Sequence, residues 1–276
     1  MSAKPIVVGT DGSPQSRRAV DWAAREAALC DAPLLIVSVI SVRKQAGRVM
    51  LVGDRTGVTS EMAQKALAET ARSVQVTAPE VTTGTSLLTG APALELARLA
   101  RSASMLVVGC RGAGGFAAGG AGSVSRHLAA HAPCPVVIYF SQTARARPRI
   151  AVGIGEHDES EAAIAFAFEE AARRGADLLA VQSVYRFSPA GAGVPGGALC
   201  RLHELLDPWR HKYPDVAAGE QIIQVGTRQA LADISATADL LVLGRRQDPG
   251  PGSVSSAVLD HAHGPVAIVP FHETPA

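Results

Sequence analysis

The chain repeats itself. Arg149-Ile-Ala-Val-Gly153 restates Pro5-Ile-Val-Val-Gly9 at an offset of 144 residues. At the same offset Ala163 answers Ala19, Ile164 answers Val20, and Leu178-Leu179 answers Leu34-Leu35. Later, Ala238-Asp-Leu-Leu-Val-Leu-Gly244 answers Ala103-Ser-Met-Leu-Val-Val-Gly109. Gly252-Ser-Val254 answers Gly122-Ser-Val124, and Pro265-Val-Ala-Ile268 answers Pro135-Val-Val-Ile138, by which point the offset has shrunk to 130. A duplication of this kind restricts the fold to one domain built twice. The 276 residues divide into two domains of ordinary size, 1–143 and 148–276, around the polar stretch Ser141–Pro148.

Within the first copy, short apolar runs alternate with helical patterns. Pro5–Gly9 reads as a strand. Thr10-Asp11-Gly12 turns the chain, and Ser13 as N-cap with Pro14 at N1 opens a helix whose apolar face is Val20, Ala23, Ala24, Ala27 and Ala28. Leu34–Ile40 is a second buried strand, and Arg43–Thr59 reads as a long polar loop. A helix with Ala63, Leu67, Ala71 and Val74 on one face follows, then a threonine-rich strand over Val81–Leu88. A further helix starts at Gly90-Ala-Pro92, with a face of Ala93, Leu96, Ala97 and Ala100. Met105–Val108 and Val136–Tyr139 are the fourth and fifth strands. Strands alternating with helices predict an α/β fold: two tandem doubly wound, Rossmann-like parallel sheets. Ligands of such sheets bind at the carboxyl ends of the strands, where the loops holding Asp11, Val39 and Gly109 meet.

The fourth strand runs into Gly109-Cys-Arg-Gly112, and nine residues later comes Gly122-Ser-Val124. Seven glycines fall from Gly109 to Gly122 inclusive, and Val124 onward reads as a helix with Ser123 as its N-cap. A glycine-rich passage from strand to helix N-terminus brings bare N–H groups and the positive end of a helix dipole to one point, which suits an anion. It is neither a P-loop, because no Gly-Lys-Ser/Thr ends it, nor the dinucleotide fingerprint, which is shorter and follows the first strand.

The spacing Gly-x2-Gly-x9-Gly-Ser, together with Asp11-Gly-Ser13, resembles the nucleotide loop of the universal stress protein family in its ATP-binding subclass. The internal repeat extends the likeness over nearly the whole chain, in the tandem two-domain form. The resemblance implies a five-stranded sheet of order 3-2-1-4-5 in each domain. It also implies that fifth strands pair between two domains, giving a pseudo-dimer within the chain or a homodimer between chains. The candidate nucleotide-binding set is Gly9, Thr10, Asp11, Val39, Gly109, Cys110, Arg111, Gly112, Gly115, Gly122, Ser123 and Val124. Against an adenosine nucleotide, Gly109 to Gly112 approach the ribose and phosphates, with Arg111 adding charge. Gly122, Ser123 and Val124 offer N–H groups, and Ser123 a hydroxyl, to the phosphate chain. By resemblance Asp11 contacts the nucleoside or a phosphate-bound metal such as Mg2+, and Val39 stands where the backbone reads adenine.

The second copy departs from this pattern. Gly155 stands in place of Asp11, Gln247 in place of Gly112, and seven residues separate Gly244 from Gly252 against twelve between Gly109 and Gly122. Pro249 and Pro251 stiffen the shorter loop and remove two donors. One nucleotide per chain is the expectation.

Lys and Arg total 26 against 25 Asp and Glu, so no basic field points to nucleic acid or an anionic membrane. Without an apolar run long enough to span a bilayer, and with Met1-Ser-Ala-Lys4 leading directly into a strand, the expected location is the cytoplasm. Cys30, Cys110, Cys134 and Cys200 form no C-x-x-C pair. His127 and His131 lie one helical turn apart without the Glu of a zinc motif, and read as surface residues. No catalytic constellation is visible, so the reading is an ATP-binding regulatory protein acting on a regulatory protein partner, with at most weak ATPase activity. The alternatives are a slow ATPase or other nucleotide-dependent enzyme, and an interaction scaffold without nucleotide.

Overall fold

In the computed structural model, described residues are 3–45, 48–51, 60–112, 120–141, 147–155, 159–183, 195–223, 226–245 and 254–271, with 42–45, 48–51, 159, 195 and 196 described by backbone alone. The chain separates into two compact units, Met1–Tyr139 and Phe140–Ala276.

The first unit is a five-stranded parallel sheet. Its strands are β1 (Ile6–Gly9), β2 (Leu34–Ile40), β5 (Thr83–Thr89), β6 (Met105–Gly109) and β7 (Val136–Tyr139), in the order β5-β2-β1-β6-β7. Counted along the chain, that is 3-2-1-4-5, and every pairing is parallel. Helices α1 (Pro14–Leu29) and α2 (Ser60–Thr77) cover one face, and α3 (Pro92–Leu99) and α4 (Ser123–His131) cover the other. With both faces covered, the central strands are continuous apolar runs: Ile6, Val7, Val8, Leu106 and Val107 are all buried. Each such side chain removed from water contributes about 1.5–3 kcal/mol.

Local signals act as expected at α1. The Ser13 hydroxyl accepts from Ser16 N–H at 3.2 Å, and Pro14 sits at the start of the helix. Val20, Ala23, Ala24 and Ala27 are buried, joined by Trp22 and Glu26. The stretch expected as a loop from Arg43 is different. Val42–Gln45 (β3) and Arg48–Leu51 (β4) pair antiparallel as a separate hairpin, Val42 opposite Leu51 and Lys44 opposite Val49. Val42, Val49 and Leu51 give the segment more strand character than its charges suggest. Residues 52–59 of the expected loop lie outside the described residues.

The second unit repeats the plan with β8 (Arg149–Ile154), β9 (Asp177–Ser183), β10 (Ala218–Ile223), β11 (Leu240–Arg245) and β12 (Val266–Pro270), ordered β10-β9-β8-β11-β12. Its helices are α5 (Glu159–Arg174), α6 (Pro195–Lys212), α7 (Thr227–Thr237) and α8 (Val254–His261). Glu170 of α5 is fully buried and held by Arg173 at 2.9 Å and Arg174 at 2.8 Å. Trp209 on the neighbouring helix and Tyr213, just past its last residue, stack against buried Phe168. Among the described residues, no helix is long and apolar enough to cross a membrane.

Candidate functional site

All strands of the first unit run the same way, so the turn after β1 and the loop after β6 leave from one edge of the sheet. The first turn is tightly built. Asp11 Oδ1 accepts from Ser13 N–H at 3.0 Å, and Gly12 between them takes φ +79°, a conformation that favours glycine. Thr10 Oγ1 accepts from Gly12 N–H at 3.2 Å and lies 3.0 Å from Ser16 Oγ. The Thr10 hydroxyl is thus part of the turn's own bracing.

The structure brings Asp11 to the glycine loop. A Cβ at Gly112 would lie 2.5 Å from Asp11 Oδ2, so the second glycine of Gly109-x-x-Gly112 leaves room for the carboxylate. Gly109 is glycine for another reason: its Cβ would press on the backbone of Gln15 and Ser16 at 3.3 Å, where α1 begins. Gly9 likewise faces the core, with Leu96 Cδ1 3.0 Å from its would-be Cβ. Val39 is half-buried on β2, opposite Leu88. Gly115 lies outside the described residues.

The loop closes at its neck. Gly122 N–H donates to Cys110 O at 2.7 Å, Arg111 Nε to Gly120 O at 3.0 Å, and Arg126 Nε to Ala121 O at 2.8 Å. Ser125 Oγ, buried, donates to Gly109 O at 2.9 Å. Gly120 takes φ +93°. Two expectations are corrected here. Ser123 is not the N-cap: Gly122 is, in extended conformation (φ −73°, ψ 174°), its carbonyl accepting from Arg126 N–H at 3.0 Å. The bond to Cys110 holds Gly122 extended, so helical geometry begins at Ser123, from which no side-chain cap can form. Nor does Gly122 offer its N–H to a ligand, because Cys110 O already takes it. The helix donors left without an intrahelical acceptor are those of Ser123, Val124 and Ser125. Ser125 and Ser16 escaped the sequence reading. The only signal for Ser125 was a second serine within the first turn of a helix that needs none there.

Cys110 is buried, and desolvation pushes its thiol up, opposed by the nearby Arg111 charge. Its N–H donates to Tyr139 O at 2.8 Å. Cys134 is buried as well, and burial pushes it up to about 12. Because the thiolate is the reactive form, both should resist alkylation at pH 8 while exposed Cys200 reacts. Mass mapping after brief iodoacetamide treatment of the native protein checks this; label on Cys110 ahead of Cys200 would contradict it. His127 and His131 stack at 4.5 Å, with His131 Nδ1 2.9 Å from His127 O.

In the second unit Gly155 N–H donates to Ser160 Oγ at 3.0 Å where the first unit has its aspartate turn. Arg245, buried at the end of β11, takes the place of Cys110, and desolvation lowers its pKa. Gln247, Pro249, Pro251, Gly252 and Ser253 lie outside the described residues.

The universal stress protein family model matches residues 2–139 and again 147–270. A universal stress protein of Mycobacterium tuberculosis strain H37Rv is 32% identical, over 95% of this chain and 96% of its own length. The crystal structure of a universal stress protein from Archaeoglobus fulgidus superposes with a TM-score of 0.75, covering 99% of this chain and 98% of that one at 16% identity. A universal stress protein solved in complex with cAMP is 28% identical over 51% of this chain and all of its own, with a TM-score of 0.38. Matched twice by the family model and from end to end by its relatives, the chain belongs to the universal stress protein family.

Proposed function

We propose that the first unit binds ATP at the edge where Asp11 meets the glycine loop, and that binding serves regulation rather than turnover, in a cytoplasmic stress response. The observation that carries this reading is the contact of Asp11 with Gly112, which draws two loops distant in sequence to one point beside a helix N-terminus. The donors suit a phosphate: three N–H groups at Ser123, Val124 and Ser125, the Ser123 hydroxyl, and the helix dipole. Asp11 Oδ2 faces the same edge, where it would meet the ribose hydroxyls or a Mg2+ carried by the phosphates. Gly122 supports the reading from a different side. Its dihedrals are open to any residue and a Cβ there would find its nearest neighbour at an ordinary 3.5 Å, so the fold itself does not require glycine. Room for a ligand does.

Denaturing freshly purified protein and analysing the supernatant for adenine nucleotides is the first test. The second is stoichiometry. Arg245 replaces Cys110, Gly155 replaces Asp11, and the second loop is five residues shorter, twelve against seven. Titration of nucleotide-free protein should therefore give one ATP per chain. A value near two would show that the second unit binds as well, and a value of zero would remove the proposal.

A further inference from the structure

Arg111 is used only in part by the fold. Its side chain is half-buried and crosses the neck of the loop, Nε donating to Gly120 O at 3.0 Å. A guanidinium carries five N–H donors. Nε accounts for one; among the described residues the four on the two Nη groups meet no acceptor and no carboxylate. Asp11 Oδ1 accepts from Ser13 N–H, and its Oδ2 lies 2.5 Å from where a Cβ on Gly112 would stand. Among the described residues, Arg111 therefore stands as a cation without a carboxylate partner, next to the neck that ends in Gly122 and α4. There the helix end adds a further positive field, equivalent to roughly half a charge. Two positive fields brought together by a deliberate hydrogen bond raise the energy of the empty site and lower that of a highly charged anion within it.

We propose that Arg111 is the specificity-determining residue for phosphate number. Gly120 O holds the guanidinium by Nε, leaving the planar Nη pair to take phosphate oxygens in bidentate fashion. The helix N-terminus, with three N–H groups that have no intrahelical acceptor, is matched to one phosphate. The added full charge of Arg111 rewards the second and third, so the site prefers adenosine di- and triphosphates over AMP. This rests on the nucleotide reading above.

The test compares ATP, ADP and AMP by calorimetric titration of the full chain at one ionic strength. The variants are Arg111→Ala and Arg111→Gln. In Arg111→Gln the side-chain amide nitrogen lies as many bonds from Cα as Nε does. It keeps the bond to Gly120 O and loses only the charge and the Nη pair. The native chain should bind ATP at least tenfold more tightly than AMP. Both variants should lose about tenfold for ATP, the scale of one charge-assisted contact, and less than twofold for AMP. Equal losses for ATP and AMP, or an ATP-to-AMP ratio in Arg111→Gln equal to the native one, would overturn the proposal and leave Arg111 a brace. Should Arg111→Ala unfold, Arg111→Gln alone decides. A native chain that binds none of the three would instead overturn the nucleotide reading itself.

Discussion

The Gly122→Glu variant should fold as the native chain does and lose ATP binding by at least about a hundredfold, given that each 1.4 kcal/mol is tenfold and several phosphate contacts go at once. Gly122 is extended at φ −73°, and its would-be Cβ is 3.5 Å from Cys110 O, so neither backbone strain nor a Cβ collision with the described residues opposes a side chain. A carboxylate at the N-cap of α4 complements the helix dipole, so stability should hold or rise by about 0.3–1 kcal/mol. The same carboxylate fills the space before Ser123 and Val124 and repels phosphate. Stability and binding are thus expected to move in opposite directions, which a merely damaging substitution does not do. Thermal melts beside calorimetric titration read both. Unchanged ATP affinity in a folded variant would count decisively against the site. Gly122→Ala, without charge, should lose far less.

Gly264→Ala should damage the second unit severely. A Cβ at Gly264 would fall inside the carbonyl oxygen of Ser235, and 3.1 Å from that residue's carbonyl carbon. Backbone, unlike a side chain, cannot turn aside. The junction is also tied by the buried Ser235 hydroxyl, which accepts from His263 N–H at 2.9 Å and donates to Ala232 O at 2.6 Å. Separating the end of α7 from the segment before β12 would break that network, at a cost of about 3 kcal/mol, the upper end of overpacking. Gly153 makes a useful comparison. Its would-be Cβ meets Leu243 Cδ2 at 2.6 Å, but this is the end of a flexible side chain, so Gly153→Ala should cost less. The two tryptophans fall one to a unit, Trp22 in α1 and Trp209 in α6, so a Trp22→Phe background reports the second unit alone. In urea, Gly264→Ala should shift the Trp209 transition to lower concentration and leave ATP binding by the first unit intact. An unshifted transition would mean that the α7 terminus yields more easily than its hydrogen bonds imply.

The duplicated architecture was legible before any coordinates. Runs such as Ile6–Gly9 and Met105–Gly109 are apolar throughout because both sheet faces are covered, and the helices between them show their buried stripes. Whereas the strand order 3-2-1-4-5 was what the family resemblance implied, the edge that carries Asp11 and the glycine loop follows from parallel, right-handed connections. These are properties of local pattern and chain direction, which a sequence holds in full. What a given glycine or N–H is for is not. Gly9, Gly109 and Gly112 look alike in the sequence, yet the first makes room for Leu96, the second for the start of α1 and the third for the Asp11 carboxylate. Gly122 looked like a donor to phosphate, but Cys110 O, twelve residues back along the chain, takes its N–H and moves the start of α4 to Ser123. Arg111 stood in the candidate set as a source of charge, but that Gly120 O holds its Nε is visible only in the fold. Each of these depends on which atom arrives from a distant segment. A hydrogen bond or a steric contact acts over about 3 Å of space, and only the closed tertiary structure determines which residues come within that distance.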